Sequence, residues 1–315
     1  MPSTKAVALG AAFSTLIATG LAVAPVAAQA QPDQSDSQGT IAWISDTQYY
    51  SQRYPDIFTG MTEWVASEAD SRGIEYLAHT GDIVEYYPFT REWDNASASM
   101  GVLEDAGIPY GVAAGNHDVA TFWSGYTITD YGVFSEYFGE DRFADSPVYG
   151  ESFKDNRQHY DLVTIGGVEF VVLYLAWRLD AADIAWASEV LTEHADKPAI
   201  IGVHEYIDAQ GEYSGRGEQI FDELVEPHDN VSLVISGHIH GAATNVVELD
   251  GDRRVVEMLA DYQDAPQGGS GYLRLLTVDT AASTLQVQTY SPHLDSTGYF
   301  DDAVENTTLP LDITP

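Results

Sequence analysis

Polar side chains that can bind a metal ion follow five short apolar segments of the chain. The segments TIAWIS (40–45), IEYLAH (74–79), YGVAA (110–114), AIIGV (199–203) and VSLVIS (231–236) have the length and composition of strands. The polar residues that follow them are Asp46, Asp82, Asn116, His117, His204, His238 and His240. A single Asp or His after a strand usually caps a turn or helix or has a structural role. Because open α/β sheets place their sites beyond the carboxyl ends of strands, five such ends together predict one shared site.

The donor types in this set favour a centre of two divalent cations. The sequence has no cysteine, so thiolate ligands are excluded. Carboxylate, carboxamide and imidazole donors suit Mn, Fe, Co or Zn. The set holds more donors than one tetrahedral ion needs, and it suits two ions about 3.5–4 Å apart that share a carboxylate. A glycine precedes Asp82, Asn116 and His238, which permits a tight turn and a close approach of the backbone.

The order of these motifs resembles that of the calcineurin-like metallophosphoesterase family. The family pattern is Asp-x-His, Gly-Asp, Gly-Asn-His-Asp/Glu, a separate His after a strand, and Gly-His-x-His. The matching residues here are Asp46-Thr47-Gln48, Gly81-Asp82, Gly115-Asn116-His117-Asp118, His204 and Gly237-His238-Ile239-His240. The third and last motifs form a highly specific pair, whereas Gly-Asp alone has little weight. The resemblance spans residues 40–261 and implies an α/β fold, a four-layer α/β/β/α sandwich of two mixed sheets.

The resemblance also implies a role for each matching residue. The ligands would be Asp46 and His240 for the first ion, Asn116, His204 and His238 for the second, and Asp82 as a bridge between them. His117 would remain off the metals and assist the leaving oxygen, while Asp118 would orient His117 through a hydrogen bond. The implied reaction is hydrolysis of a phosphate ester, diester or pyrophosphate bond by a metal-bridging hydroxide.

Gln48 departs from the family pattern, which has His at this position. Some branches carry Gln here, among them enzymes similar to the manganese-dependent ADP-ribose/CDP-alcohol diphosphatases. This similarity favours Mn or Fe as the two metal ions, divalent or trivalent, with Zn or Co as alternatives, and it favours diester or pyrophosphate substrates. As a metal ligand, Gln48 would belong to the first ion; the alternative is a hydrogen bond to a neighbour without metal contact. Glu85 stands where the purple acid phosphatase branch has a metal-binding Tyr, which disfavours a purple iron centre.

The segments between the motifs predict the elements of an α/β domain over residues 40–310. Helices are predicted at 56–70, 90–105, 181–194 and 217–226, and a hairpin at 158–175 that turns at Gly166-Gly167. Antiparallel strands are predicted from 243 to 291, with a turn at Asp250-Gly251. The preceding residues are predicted to be a signal peptide (1–30) and a disordered leader (31–39).

An aromatic-rich insert at about 121–157 interrupts this pattern. Ten aromatic residues lie between Phe122 and Phe153 in an irregular stretch. They either cap a substrate or form a separate hydrophobic cluster under a long loop, and the sequence favours neither.

Charge and the N-terminal segment limit the partners and the location. The formal net charge is −36, from 49 acidic and 13 basic residues. Such a surface repels a phosphate backbone, so we expect a small phosphorylated substrate and no binding of duplex nucleic acid. Lys5, the apolar stretch 6–24 and the Ala28-Gln29-Ala30 pattern predict cleavage after Ala30, and therefore a secreted chain without stable membrane insertion. The sequence leaves the oligomeric state open.

Three classes of function fit these observations. The first is a metal-dependent phosphoric ester hydrolase, within which phosphodiesterase, pyrophosphatase, phosphomonoesterase and protein phosphatase are not separated. The second is another metal-assisted hydrolase with the same cluster. The third is a non-catalytic exported binding module that keeps a structural metal cluster. His117 argues against the third, because a structural cluster has no use for a further histidine beside its ligands.

Overall fold

Two seven-stranded sheets form the centre of the molecule in the computed structural model, which describes residues 36–123 and 127–313. The strands within these residues are β1 (Gln38–Ile44), β2 (Ile74–His79), β3 (Tyr110–Val112), β4 (Ala120–Trp123), β5 (Thr127–Asp130), β6 (Tyr149–Phe153), β7 (Gln158–Ile165), β8 (Val168–Leu175), β9 (Ala199–Val203), β10 (Val231–Ser236), β11 (Gly241–Glu248), β12 (Arg254–Asp261), β13 (Leu273–Asp279), β14 (Thr284–Ser291), β15 (Ser296–Thr297) and β16 (Asn306–Pro310). The predicted signal peptide lies outside the described residues.

The described residues also form nine α-helices. They are α1 (Gln48–Arg53), α2 (Pro55–Arg72), α3 (Thr90–Ala106), α4 (Gly132–Phe138), α5 (Glu140–Phe143), α6 (Ala181–Glu193), α7 (Gly215–Ile220), α8 (Pro266–Gly269) and α9 (Asp302–Glu305). A π-helical turn at Phe221–Val225 extends α7, and a 3-10 turn at Asp250–Asp252 joins β11 to β12. Among the described helices, none has the length and apolarity that crossing a bilayer requires.

Each sheet combines parallel and antiparallel strands. The first has the order β15-β14-β13-β1-β2-β3, with β16 also paired to β14, and the second has the order β11-β12-β10-β9-β8-β7-β6. The pairs β1–β2 and β2–β3 are parallel, as are β8–β9, β9–β10 and β10–β12. Because parallel neighbours end at the same edge, the segments after β1, β2 and β3 meet on one side, and so do those after β9 and β10.

Three apolar clusters separate four layers. Along β1, Ala42 and Ile44 face a cluster that includes residues of α2 and α3, whereas Ile41 and Trp43 face the cluster between the two sheets. Strands β9 and β10 alternate in the same way between the inter-sheet cluster and a third cluster that includes residues of α6 and α7. This alternation follows from the two-residue period of a strand. It produces the predicted α/β/β/α sandwich.

The structure corrects several predicted boundaries. Strand β1 begins at Gln38, inside the segment 31–39 that was predicted to be disordered, because Gln38 and Gly39 already pair with β13. The third strand ends at Val112 rather than at residue 114. The predicted strands between 243 and 291 form two antiparallel hairpins, β11–β12 and β13–β14, but these hairpins belong to different sheets, and β12 also runs parallel to β10.

The described part of the aromatic insert contributes to the core. Phe134, Phe138 and Phe143 are buried in the same cluster as Trp93 of α3. The Trp93 ring centroid lies 6.4 Å from that of Phe134 and 6.3 Å from that of Phe138. These phenylalanines therefore extend the helix layer over the first sheet. For them, the hydrophobic-cluster alternative is correct, and they do not form a substrate cap.

Candidate metal centre

The loops after β2, β3, β9 and β10 bring four predicted ligands together. Ligand atoms of Asp82, His204 and His238 all lie within 4.8 Å of one another. His204 Nε2 lies 3.2 Å from Asp82 Oδ1 and 3.0 Å from Asn116 Oδ1. Asp82 and His204 are buried, and His238 is half-buried. Buried carboxylate and imidazole groups at this spacing form a pocket that a divalent cation can occupy.

The backbone at this centre is held in an uncommon conformation. Asp46 and Asp82 have φ of 53°, and His238 has φ of 71°. A left-handed backbone is unfavourable for residues with a Cβ by roughly 1 kcal/mol each, and such strain is concentrated at functional sites. Gly115 and Gly237 allow the turns to pack closely, because a Cβ would lie 2.2 Å from Asp82 Oδ1 at Gly115 and 2.1 Å from Asp46 Oδ2 at Gly237.

Carboxylates control the protonation of His204. Its Nδ1 lies 2.9 Å from the carbonyl oxygen of Thr80, which can only accept, so Nδ1 carries a proton and Nε2 faces Asp82 and Asn116. Burial lowers the pKa of His204, but the nearby Asp82 and Asp46 carboxylates outweigh burial and raise it to about 10. In turn, burial raises the pKa of Asp82, but His204 and His117 together outweigh burial and lower it. A cation bound here therefore displaces a proton from His204.

The predicted first-ion residues are arranged more loosely. Asp46 is buried and accepts hydrogen bonds from Ser45 Oγ at 2.5 Å and from the His238 backbone N–H at 3.2 Å. The His240 side chain is 47% exposed and lies outside the group formed by Asp82, His204 and His238. Its Nδ1 lies 2.5 Å from Asp264 Oδ2. Asp46 and His240 therefore border the centre without forming a closed ligand cluster of their own.

Gln48 has a buried amide oxygen without a hydrogen-bond partner among the described residues. The residue begins α1 and is 1% exposed. Its Nε2 donates to Gln263 Oε1, which leaves Oε1 free. An unpaired buried oxygen is unfavourable by about 1–3 kcal/mol, so it requires a partner. A cation is a suitable partner, and the donors present therefore fit the predicted first ion.

His117 lies beside this group, but Asp118 does not orient it as predicted. His117 Nδ1 lies 2.8 Å from the Glu85 carbonyl oxygen and 3.3 Å from Glu85 Oε2, so Glu85 takes the predicted role of Asp118. In the described chain, the Asp118 carboxylate accepts from the backbone N–H groups of Ile83, Val84 and Gly115. Burial, reinforced by Asp82, raises the pKa of Asp118 to about 7. Asp118 holds two ligand-bearing loops together because its oxygens face their backbone.

Three further residues at this site were missed by sequence reasoning. The Trp177 ring centroid lies 5.0 Å from that of His238, so the indole forms a wall of the centre. Asp261 ends β12, and Gln263 follows it. The signal for Asp261 was present, since it is also an acidic residue at the end of an apolar strand. Trp177 has no comparable signal, because aromatic residues are common in cores.

The fold and the site together define a metallophosphoesterase. The model of the calcineurin-like phosphoesterase family matches residues 39–242, and the chain belongs to this family. It is 46% identical over 286 residues to the uncharacterized protein YvnB of Bacillus subtilis. This alignment covers 88% of this chain and 22% of YvnB. It is 27% identical over 158 residues to a probable cyclic nucleotide phosphodiesterase of Psychrobacter arcticus. This alignment covers 45% of this chain and 50% of that protein. The chain thus spans half or less of the length of these relatives.

Solved structures share the fold at low sequence identity. The purple acid phosphatase PPD1 of yellow lupin (Lupinus luteus) aligns with a TM-score of 0.56 and 14% identity, over 88% of this chain and 54% of that one. GAP50, the anchor in the inner membrane complex of Plasmodium, aligns with a TM-score of 0.51 and 14% identity, over 88% and 90%. These similarities support the fold alone.

Proposed function

We propose that this chain hydrolyses phosphodiester or pyrophosphate bonds with two bound divalent cations, Mn or Fe being favoured. The observation that carries the proposal is the placement of His117 beside the group formed by Asp82, His204 and His238. A structural metal site would need the ligands but not this additional half-buried histidine. The Gln48 position and the probable cyclic nucleotide phosphodiesterase among the relatives support diester or pyrophosphate substrates.

The donors divide between two ions. One cation would be held by Asp82, Asn116, His204 and His238, and the other by Asp46, Gln48, Asp82 and His240. When bound, such cations supply activation of a water nucleophile and neutralise charge on the phosphoryl oxygens. Asp82 can serve both ions because its two oxygens are separate donors.

His117 supplies the proton for the leaving oxygen. Its Nδ1–H donates to the Glu85 carbonyl oxygen, so the proton that it can transfer is on Nε2. Nε2 lies 4.0 Å from Asp82 Oδ2, on the side of the metal ligands. Burial lowers the pKa of His117, but Asp82 and Glu85 outweigh burial and raise it. This upward shift favours the imidazolium form, which is the form that a general acid requires.

A substrate panel tests the reaction class. Metal-depleted protein is supplied with Mn, Fe(II), Co or Zn and assayed on bis(4-nitrophenyl) phosphate, 4-nitrophenyl phosphate, cyclic AMP and ADP-ribose. We expect the highest kcat/KM with Mn or Fe(II) on a diester or pyrophosphate. If no phosphate ester is cleaved with any of the four metals, the proposal fails, which leaves another metal-assisted hydrolase or a non-catalytic binding module.

Two substitutions separate catalysis from metal binding. His117→Ala is expected to lower kcat by about 10²–10⁴-fold, since it removes general-acid catalysis, while metal content stays at the wild-type level. Asp82→Ala is expected to lose both activity and metal, measured by elemental analysis. His228→Ala is the matched control, because His228 contacts Ser188 and Leu224 instead of the centre. Full activity in His117→Ala would contradict the assigned role of His117.

A further inference from the structure

A hydrogen-bonded chain of three buried side chains ends at the Gln48 amide oxygen that has no hydrogen-bond partner among the described residues. The Asp261 carboxylate accepts the Gln263 backbone N–H on Oδ1 at 2.8 Å and the Gln263 Nε2–H on Oδ2 at 2.9 Å. Gln263 Oε1 then accepts from Gln48 Nε2. Gln48 and Asp261 are each 1% exposed and Gln263 is 8% exposed. Water therefore has little access to replace these contacts.

The direction of this chain follows from the chemistry of its members. A carboxylate accepts hydrogen bonds and cannot donate them, so the amide of Gln263 must turn its nitrogen toward Asp261. The Gln263 oxygen then faces Gln48, and Gln48 must donate a hydrogen bond to it from its own amide nitrogen. As a result, the Gln48 oxygen points away from the chain, and this is the buried atom without a partner. The opposite direction would present an N–H₂ group, which cannot bind a cation.

We propose that Asp261 and Gln263 are positioning residues that orient the Gln48 amide so that its oxygen serves as a ligand of the first cation. The proposal rests on the proposed function, because it requires a cation beside Asp46 and Gln48. It explains how an amide can replace an imidazole here. The oxygen of an amide can bind a cation and its nitrogen cannot, so the orientation of the amide must be fixed by its surroundings. Hydrogen-bond partners of a metal ligand commonly fix its orientation in this way.

Two variants disrupt this series of hydrogen bonds in different ways. Gln263→Met removes both side-chain hydrogen bonds without changing the charge. Asp261→Asn reverses the direction of the hydrogen bonds. The backbone N–H of residue 263 still donates to the Asn oxygen, so the Asn nitrogen faces the Gln263 side chain. Gln263 must then turn its oxygen to residue 261 and its nitrogen to Gln48. We expect both variants to bind the first cation about 10–100-fold more weakly, while the second cation is retained.

A double variant restores the direction. In Asp261→Asn with Gln263→Glu, the Asn nitrogen donates to one Glu oxygen, and the other Glu oxygen accepts from Gln48 Nε2. The net charge equals that of the wild type. We expect its first-site affinity to return to within about threefold of the wild-type value. Gln263→Met controls for charge, since it weakens binding with no charge removed.

The test measures metal binding directly. Mn²⁺ is titrated into metal-depleted wild-type and variant protein by calorimetry, and electron paramagnetic resonance distinguishes a spin-coupled pair from a single Mn²⁺. Thermal unfolding verifies that each variant is folded. Wild-type affinity for two ions in Gln263→Met and Asp261→Asn, or failure of the double variant to recover, would overturn the orienting role while the proposed function stands. If the wild type binds only one Mn²⁺ or none, both proposals fail.

Discussion

At the scale of single residues, the metal centre requires that residue 115 has no Cβ. A Cβ at this position would lie 2.2 Å from Asp82 Oδ1 and 2.3 Å from the Asp82 backbone nitrogen. Because one of these atoms is backbone, the clash cannot be relieved by a side-chain rotation. The glycine is therefore required by the packing of two loops, in addition to preceding Asn116 in the motif.

Gly115→Ala is expected to displace Asp82 and to lower both metal content and kcat/KM, the latter by at least about 10²-fold. Gly60→Ala is the matched control, since nothing lies within 4 Å of the added Cβ in α2. That control is expected to keep full activity and to gain roughly 0.5–1 kcal/mol in free energy of unfolding. Elemental analysis and steady-state assays on both variants check the prediction. Wild-type metal content in Gly115→Ala would show that the loops can separate.

The residues of the centre were largely accessible to sequence reasoning, but their contacts were not. The positions of Asp82, Asn116, His204 and His238 at one edge follow from strand ends and motif spacing. The partner of His117 does not, because Glu85 reaches it through a turn whose course depends on packing. Amide direction at Gln48 was equally hidden, since it is determined by residues more than two hundred positions away.

At the scale of elements, the start of α3 fixes the turn that orients His117. Glu92 is 1% exposed, and its Oε2 accepts the backbone N–H groups of Glu85 and Tyr86, both at 2.9 Å. This carboxylate holds Glu85, whose carbonyl oxygen in turn lies against His117 Nδ1. The helix therefore acts on the site through one buried acid.

Glu92→Ala is expected to lower kcat about 10-fold, because His117 loses its fixed partner, while metal content is unchanged. Glu92→Gln is the conservative control, since its amide oxygen can accept the same two N–H groups. Its kcat is expected to remain within about twofold of wild type. Equal loss in both variants would mean that the negative charge of Glu92, rather than its hydrogen bonds, supports the site.

Elements with a regular apolar pattern were predictable, and short polar ones were not. Strands β2, β9 and β10 occupy their predicted ranges, and the hairpin of β7 and β8 turns at Gly166-Gly167 as expected. Helix α1 was missed, since six residues starting at Gln48 offer no apolar period. The insert was ambiguous for a related reason. Its aromatic residues show no period, and only packing against Trp93 reveals Phe134 and Phe138 as core.

At the scale of the whole molecule, the family resemblance implied the four layers, but no sequence pattern assigned the hairpins to sheets. A near-continuous apolar run such as AIIGV (199–203) indicates a strand that is buried on both faces, and it therefore agrees with a layer on either side of the sheet. Nothing in the alternation of β12 or β13 indicates that the chain changes sheets between them. That choice depends on long-range pairing of β12 with β10 and of β13 with β1.

The two sheets are joined by a buried polar contact that makes stability depend on pH. Tyr76 of β2 donates from its hydroxyl to Asp161 Oδ2 of β7, and both residues are buried. Burial, which the Tyr76 hydrogen bond only partly offsets, raises the pKa of Asp161 from 3.8 to about 8. Between these two values the unfolded chain releases a proton that the folded chain keeps. The contribution of Asp161 is therefore complete below about pH 4 and is lost as pH rises toward 8.

Asp161→Asn removes this titration but keeps an oxygen that accepts from Tyr76. We expect the variant to gain stability over the wild type by up to about 1.4 kcal/mol per pH unit between pH 5 and 8. Urea unfolding of both proteins at pH 5, 6, 7 and 8 measures the difference, so titrations that they share cancel. Asp105→Asn, at an exposed position of α3, is the control and should follow the wild type at every pH. A constant difference between Asp161→Asn and wild type would show that Asp161 is already ionised between the sheets, and that the Tyr76 contact stabilises a carboxylate.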